Sequence, residues 1–390
     1  MSVSVSSLVP TAVGQSPPAV GELGAVPEDL LVALGALVDP RGRRGVRHRL
    51  VSLIGVAVCA VLAGARSYVS IAEWTADLTP TVRARLKLGR RVPSESTIRR
   101  VLQRVDAQQL DQLVSGWLVA RTPAPPGRPV IAVDGKTARG ARCAGGRAVH
   151  LLAAFATGSG VVLGQSVVAG KTNEISAFAP LLDRIELSGA LVTADALHTQ
   201  RAHCHYLIGR GGHFLLTVKA NQPTLLGRLR GLPWADIPVA DRTSGHGHGR
   251  AETRTIKLTE VPAGIGFPHA RTVLQIIRRT RRAGRRWHTE TVYAITDLTV
   301  GQANPAELAD ALRSHWHIEN RLHWVRDVTF TEDLSQIRTG NGPAVMATLR
   351  NLAISLHRLV GASNIAAATR HLSRHPNLVP PLIMPSRMNR

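Results

Sequence analysis

The chain has 390 residues, 48 Lys and Arg against 26 Asp and Glu, a formal charge of +22 and a pI near 11.5. That length can bury a substantial core and excludes a small stapled scaffold, while a charge so far beyond the needs of solubility points to a polyanionic partner, nucleic acid before any other. Cys59, Cys143 and Cys204 show no C-x-x-C spacing, so neither a zinc ribbon nor a disulfide framework is indicated and a reducing compartment fits.

In chain order, residues 1–26 are rich in Ser, Val, Pro and Gly, lack the basic start and apolar run of a secretory signal, and read as a loose, disordered tail. From 27 to 121 apolar residues recur at helical spacing, which predicts an all-helical domain. Its most apolar stretch, LVSLIGVAVCAVLAGA (50–65), falls short of the roughly 20 residues a bilayer span needs and reads as a buried core helix, so no membrane partner is expected. SESTIRR (94–100) has serine caps and could begin a recognition helix with Arg99 and Arg100 facing DNA, although a plain amphipathic helix fits equally. TPAPPGRP (122–129) cannot continue a helix and reads as a linker.

Beyond the linker the texture changes to short β-rich runs at 130–134, 150–156, 160–169, 190–195 and 213–219, with a helix expected at 174–187, so a mixed α/β domain should occupy 130–362. In VIAVDGKT (130–137) the GKT closes a phosphate-loop pattern, but Val130 stands where that pattern requires glycine. What remains is Asp134 at the carboxyl end of a strand. Residues 225–300 suggest a β-rich insertion containing a loop at 244–255 with Arg250 and Arg254 available to phosphate. NPAE (304–307) then combines an N-cap, a first-turn proline and a capping-box glutamate, predicting a helix through to 328; another follows near 343–360, and 363–390 reads as a tail.

Asp195 also ends an apolar run, so two strand-terminal aspartates on neighbouring strands could share one crevice, though each alone reads as a turn or N-cap aspartate. Leu308, Leu312, His315, Glu319 and Leu322 form one helical stripe, which places Glu319 on the inward face. A buried carboxylate there needs a cation, either a metal or Arg326 further along the stripe. Three convergent carboxylates supply hard oxygen ligands for Mg²⁺, with Mn²⁺ as an alternative, and two such ions support phosphodiester displacement on DNA. Lys136, two residues past Asp134, would add positive charge beside the scissile phosphate.

VIAVDGKTARGAR, ALVTADALHTQ, HFLLTVKANQPTL, GHGRAETR and SHWHIENRLHWVRDVTFTEDLSQIRTGN together resemble the DDE-type insertion-sequence transposases, in their H-repeat-associated branch, and residues 28–121 resemble the N-terminal domain associated with that branch. The resemblance implies an RNase H-like catalytic core with Asp134, Asp195 and Glu319 as catalytic and metal-binding acids, preceded by a helical DNA-binding domain. It further implies that Lys219, Asn221 and Gln222 lie at the active-site rim. Arg326 matches the final cation of a wider Tyr-Arg-Glu-Lys signature, in which this chain carries Leu312 and His315 at the first two positions. The activity implied is binding of terminal inverted repeats, metal-dependent cleavage and strand transfer into target DNA, by a homodimer in the nucleoid of a prokaryotic cytoplasm. Two other readings stay open, a transposase-derived DNA-binding protein without catalysis and an RNase H-like nuclease without strand transfer.

Overall fold

The computed structural model describes residues 28–44, 46–142, 148–168, 174–247 and 249–384; the expected tail at 1–26, Cys143 and the tip of the 244–255 segment lie outside them. One nine-stranded sheet runs through the α/β part in the order β3-β2-β1-β4-β5-β9-β8-β7-β6. Its strands are β1 Val130–Arg142, β2 Ala148–Ala156, β3 Val161–Val168, β4 Leu191–Ala194, β5 His213–Val218, β6 Asp241–Gly247, β7 Arg250–Glu260, β8 Thr272–Arg282 and β9 His288–Thr296. Neighbours β1, β2 and β3 are antiparallel, β1, β4 and β5 are parallel, and β9 returns antiparallel to β5.

Two departures from the sequence reading, and one placement it left open, follow. The expected loop at 244–255 is the β6–β7 hairpin, in which residues from Asp241 to Gly247 pair with those from Arg250 to Ile256. The β-rich insertion, whose place the sequence left open, extends the main sheet through β9, whose buried half Tyr293–Thr296 pairs with β5 while 288–291 are exposed. The expected tail from 363 is helical and packed as far as 384: Ile365–Arg374 and Pro380–Ile383 are helices, and Ile365, Leu372, Val379 and Ile383 are buried in the core. Its apolar residues recur at the helical spacing that the PNLVPP prolines obscured.

The helical region 30–118 shares one core with the helix Gly342–Leu359, whose residues 342–357 are all buried. The run at 50–62 is a core helix, with every residue but Val51 buried. Among the described residues no helix is long and apolar enough to cross a membrane. Asp111, on the helix Ala107–Val119, joins the two parts by accepting from the Gln165 backbone N–H at 2.9 Å and from Arg184 at 3.3 Å. Burial pushes its carboxyl up to about 6, against the opposing pull of Arg184.

Candidate active site

The register of the sheet brings the two aspartates together. Val133 pairs with Ala194 at the last rung of the parallel β1–β4 ladder, so Asp134 and Asp195 are the next residues on adjacent strands, and adjacent strands lie about 4.8 Å apart. Asp134 is therefore not at a strand end, as the sequence suggested, since β1 continues to Arg142 against β2; it stands where the ladder to β4 stops. Asp195 does end its strand and caps the 3₁₀ turn Ala196–His198, its Oδ1 accepting from Leu197 N–H at 2.9 Å. Asn221 and Gln222 donate to the carbonyls of Ala196 and Thr199, at 2.6 and 2.8 Å. Their amides thus brace the turn that carries Asp195, and Lys219 is exposed just beyond β5.

Glu319 comes from the other side. The predicted capping box forms, with Ala306 N–H donating to Asn304 Oδ1 at 2.9 Å and Asn304 N–H to Glu307 Oε2 at 3.4 Å. The helix it starts is not uniform, however: Pro305–Ser314 gives way to a short turn, a π-helical segment Glu319–His323, and a final helix Trp324–Val328. Single π turns inside α-helices are frequent at functional sites because they change which side chains face the same way. Here Glu319 leaves the inward stripe, its side chain 52 % exposed, while His323 is buried at 3 %.

Asp134, Glu319 and His323 each offer a ligand atom, all within 4.8 Å of one another. His323 Nδ1 lies 3.1 Å from Glu319 Oε2 and 3.5 Å from Asp134 Oδ2. Burial raises the Asp134 carboxyl above its usual range and the charges of Asp195 and Glu319 add to this, with His323 opposing. The hydrogen bond to His323 lowers Glu319. Convergent carboxylates that repel in a partly dry site are relieved by a cation, and this donor set fits a divalent metal. His315, 3.2 Å from Thr193 Oγ1, is held by burial at about 4 and is neutral at pH 7.

Beneath β1 a second cluster sets the strand. Glu174 is 2.6 Å from His150 Nε2 and 3.5 Å from His198 Nε2. A Cβ on Gly135 would sit 2.7 Å from the Glu174 carboxylate, so any side chain there would push Glu174 off His150. Burial works to raise Glu174, but the hydrogen bond with His150 and the nearby His198 outweigh it and leave the carboxyl at about 2. Nothing in the sequence signalled this cluster, because its members lie on separate elements.

Several cations expected to meet DNA are otherwise engaged. Lys136 is 8 % exposed and bonded to Asp327 at 2.6 Å, so it ties β1 to the Glu319 helix. Arg326 is fully buried and bonded to Glu332 at 2.8 Å, with Arg350 on the other Glu332 oxygen at 2.8 Å. This corrects both the DNA-contact role and the pairing with Glu319: past the π segment, Arg326 points into the core. Arg250 and Arg254 both pair with Glu252, at 3.4 and 2.6 Å. Arg99 and Arg100 lie exposed on the helix Glu95–Leu102, whose Ile98, Val101 and Leu102 are buried. Arg99 pairs with Glu95, and Arg100 donates to the Ser96 carbonyl.

Val218 at the end of β5 pairs with Tyr293, so the earlier part of β9 and the strands beside it overhang the edge where Asp195 and Lys219 lie. The exposed Arg281, Arg282, Arg285 and Arg286 cluster at the end of that arm, with Arg279 and Arg281 over the Trp287 ring at 5.2 and 5.0 Å.

Sequence comparison places this helical region joined to a mixed sheet with clustered acids. The family model for the transposase DDE domain matches residues 125–356 and the model for the domain associated with it matches 31–118. The chain belongs to the DDE-domain transposase family. It is 30 % identical over 346 residues to YncI of Escherichia coli O157:H7, a transposase by name, covering 85 % of this chain and 87 % of that one. It is 28 % identical over 348 residues to YhhI of E. coli K12, named as an H repeat-associated transposase, covering 84 % and 89 %. Among solved structures it is similar to the piggyBac transposase in a synaptic complex with hairpin DNA, at 9 % identity and a TM-score of 0.42, over 94 % of this chain and 84 % of that one.

Proposed function

We propose that this chain is an active insertion-sequence transposase that binds the inverted-repeat ends of its element as a homodimer, cleaves there and joins the freed 3′ hydroxyl to target DNA within the bacterial nucleoid. The carrying observation is the register Val133↔Ala194, after which Asp134 and Asp195 follow on adjacent strands, with Glu319 beside Asp134. The order β3-β2-β1-β4-β5, with three antiparallel strands followed by two parallel ones, supports an RNase H-like core extended by β9 to β6.

Asp134, Asp195 and Glu319 would hold two divalent ions, Mg²⁺ or Mn²⁺, which when bound supply an activated nucleophile and charge neutralisation at the leaving oxygen. The rest is the chain's own work. Strands β1 and β4 fix two acids rigidly, Asn221 and Gln222 hold the turn behind Asp195, and Lys136 anchors the segment bearing Glu319. The exposed arginines of the β8–β9 arm, with Lys219 at the rim and Arg99 and Arg100 on the helical domain, provide charge for the DNA backbone.

The test is a metal-dependent nicking and joining assay on DNA carrying the element's ends. Wild-type protein should nick and transfer. Nicking without joining would favour the plain nuclease, and end binding with no nicking in Mg²⁺ or Mn²⁺ would favour a DNA-binding descendant.

A further inference from the structure

We infer that His323 supplies a nitrogen ligand to one of the metal ions, through Nδ1, and thereby makes that position select Mn²⁺ over Mg²⁺. The inference rests on the proposed metal-dependent reading and adds a residue to it. In an octahedral shell with bonds near 2.1 Å, neighbouring donors lie about 3 Å apart; Nδ1 is 3.1 Å from Glu319 Oε2 and 3.5 Å from Asp134 Oδ2. Nδ1 thus stands close to adjacent-ligand distance from each carboxylate, and all three atoms lie within 4.8 Å of one another. The residue is 2 % exposed, and Leu322 before it and Val325 two positions on are buried as well. Its Nε2 has no hydrogen-bond partner among the described residues, so Nδ1 is the only nitrogen with a polar task.

Glu319 and His323 are the first and last residues of the π segment, and their i,i+4 spacing puts the exposed glutamate and the buried histidine on one face, 3.1 Å apart. Mg²⁺ takes oxygen ligands and dehydrates reluctantly; Mn²⁺ suits the same carboxylates and water but, as a first-row transition ion, takes an imidazole nitrogen more readily than Mg²⁺ does. A mixed set of one imidazole and two carboxylates therefore favours Mn²⁺.

Pulsed electron paramagnetic resonance of Mn²⁺ bound to the full-length protein tests this without turnover. Wild type should show imidazole ¹⁴N modulation, replaced by ¹⁵N coupling when only histidine is ¹⁵N-labelled, a control that needs no variant. In His323→Gln, Mn²⁺ should still bind, the nitrogen modulation should vanish, and the Mg²⁺ needed to displace Mn²⁺ should fall by about tenfold or more, the loss that removing even an outer-shell partner typically causes. Bound Mn²⁺ without nitrogen coupling in wild type, or coupling that persists in His323→Gln, would overturn the inference and leave the acid-held metal in place. Failure of wild type to bind Mn²⁺ at all would remove both.

Discussion

Two glutamates thirteen positions apart in the same motif, Glu319 and Glu332, have opposite lives. Glu319 is half exposed, lies beside Asp134, and has His323 as its hydrogen-bond partner. Glu332 is 2 % exposed and clamped by Arg326 and Arg350. Burial tends to raise Glu332, but the two guanidiniums outweigh it and hold the carboxyl at about 2. What separates a reactive acid from a structural one is the partner: a carboxylate saturated by two fixed cations has no lone pair left for a metal, and one facing other carboxylates does. Helical periodicity placed both Glu319 and Arg326 on the inward stripe; only Arg326 is buried, and its partner is Glu332.

The largest expected effect would sharpen that contrast. Glu319→Ala should cut the nicking rate by at least about a thousandfold, since it removes charge stabilisation of the transition state, with end binding and melting temperature near those of wild type. A gel-shift assay, a nicking time course and thermal melting would show it, and retained cleavage would remove Glu319 from the site. Next, Glu332→Gln leaves two buried guanidiniums uncompensated and should cost on the order of 3–5 kcal/mol of unfolding free energy in urea. A change under about 1 kcal/mol would mean that the clamp contributes little.

The third prediction concerns pH. Glu332 titrates at about 2 in the folded chain, against about 4.3 when unfolded. A lowered folded value contributes stability that is present above the unfolded value and lost as pH falls toward 2. Wild type should therefore lose stability steeply over that window, and Glu332→Gln should show a shallower slope; equal slopes would assign the acid sensitivity elsewhere, with Glu174 the next group to test. The smallest effect is expected at Arg99 and Arg100. Alanine at each should weaken DNA binding without altering cleavage chemistry, and should reduce the salt slope of binding by about one for every phosphate left without its cation. An unchanged slope would leave that helix as packing alone.

Much of the candidate site could be read along the chain. Asp134 and Asp195 each follow an apolar run, and the Asn304 cap marks where the helix leading to Glu319 begins. His323 carried one usable signal, its place four residues after Glu319 on the same helical face, but its approach to Asp134 at 3.5 Å is a tertiary contact. Lys136 and Arg326 could not be assigned from sequence, because whether a cation is free depends on acids that sit far away: Asp327 for the first, and Glu332 with its second partner Arg350 for the other.

The sequence by itself determined the switch from helical to β texture after the 122–129 linker, the cap at Asn304 and the basic character, because periodicity, turn chemistry and net charge are local or summed properties. Only the tertiary structure decided that β9 to β6 continue the main sheet, that residues after 363 pack into the helical core, and which charges are spent in pairs. Those outcomes depend on strand register, on a π turn that redirects side chains, and on contacts between residues far apart in the chain, none of which a local pattern encodes.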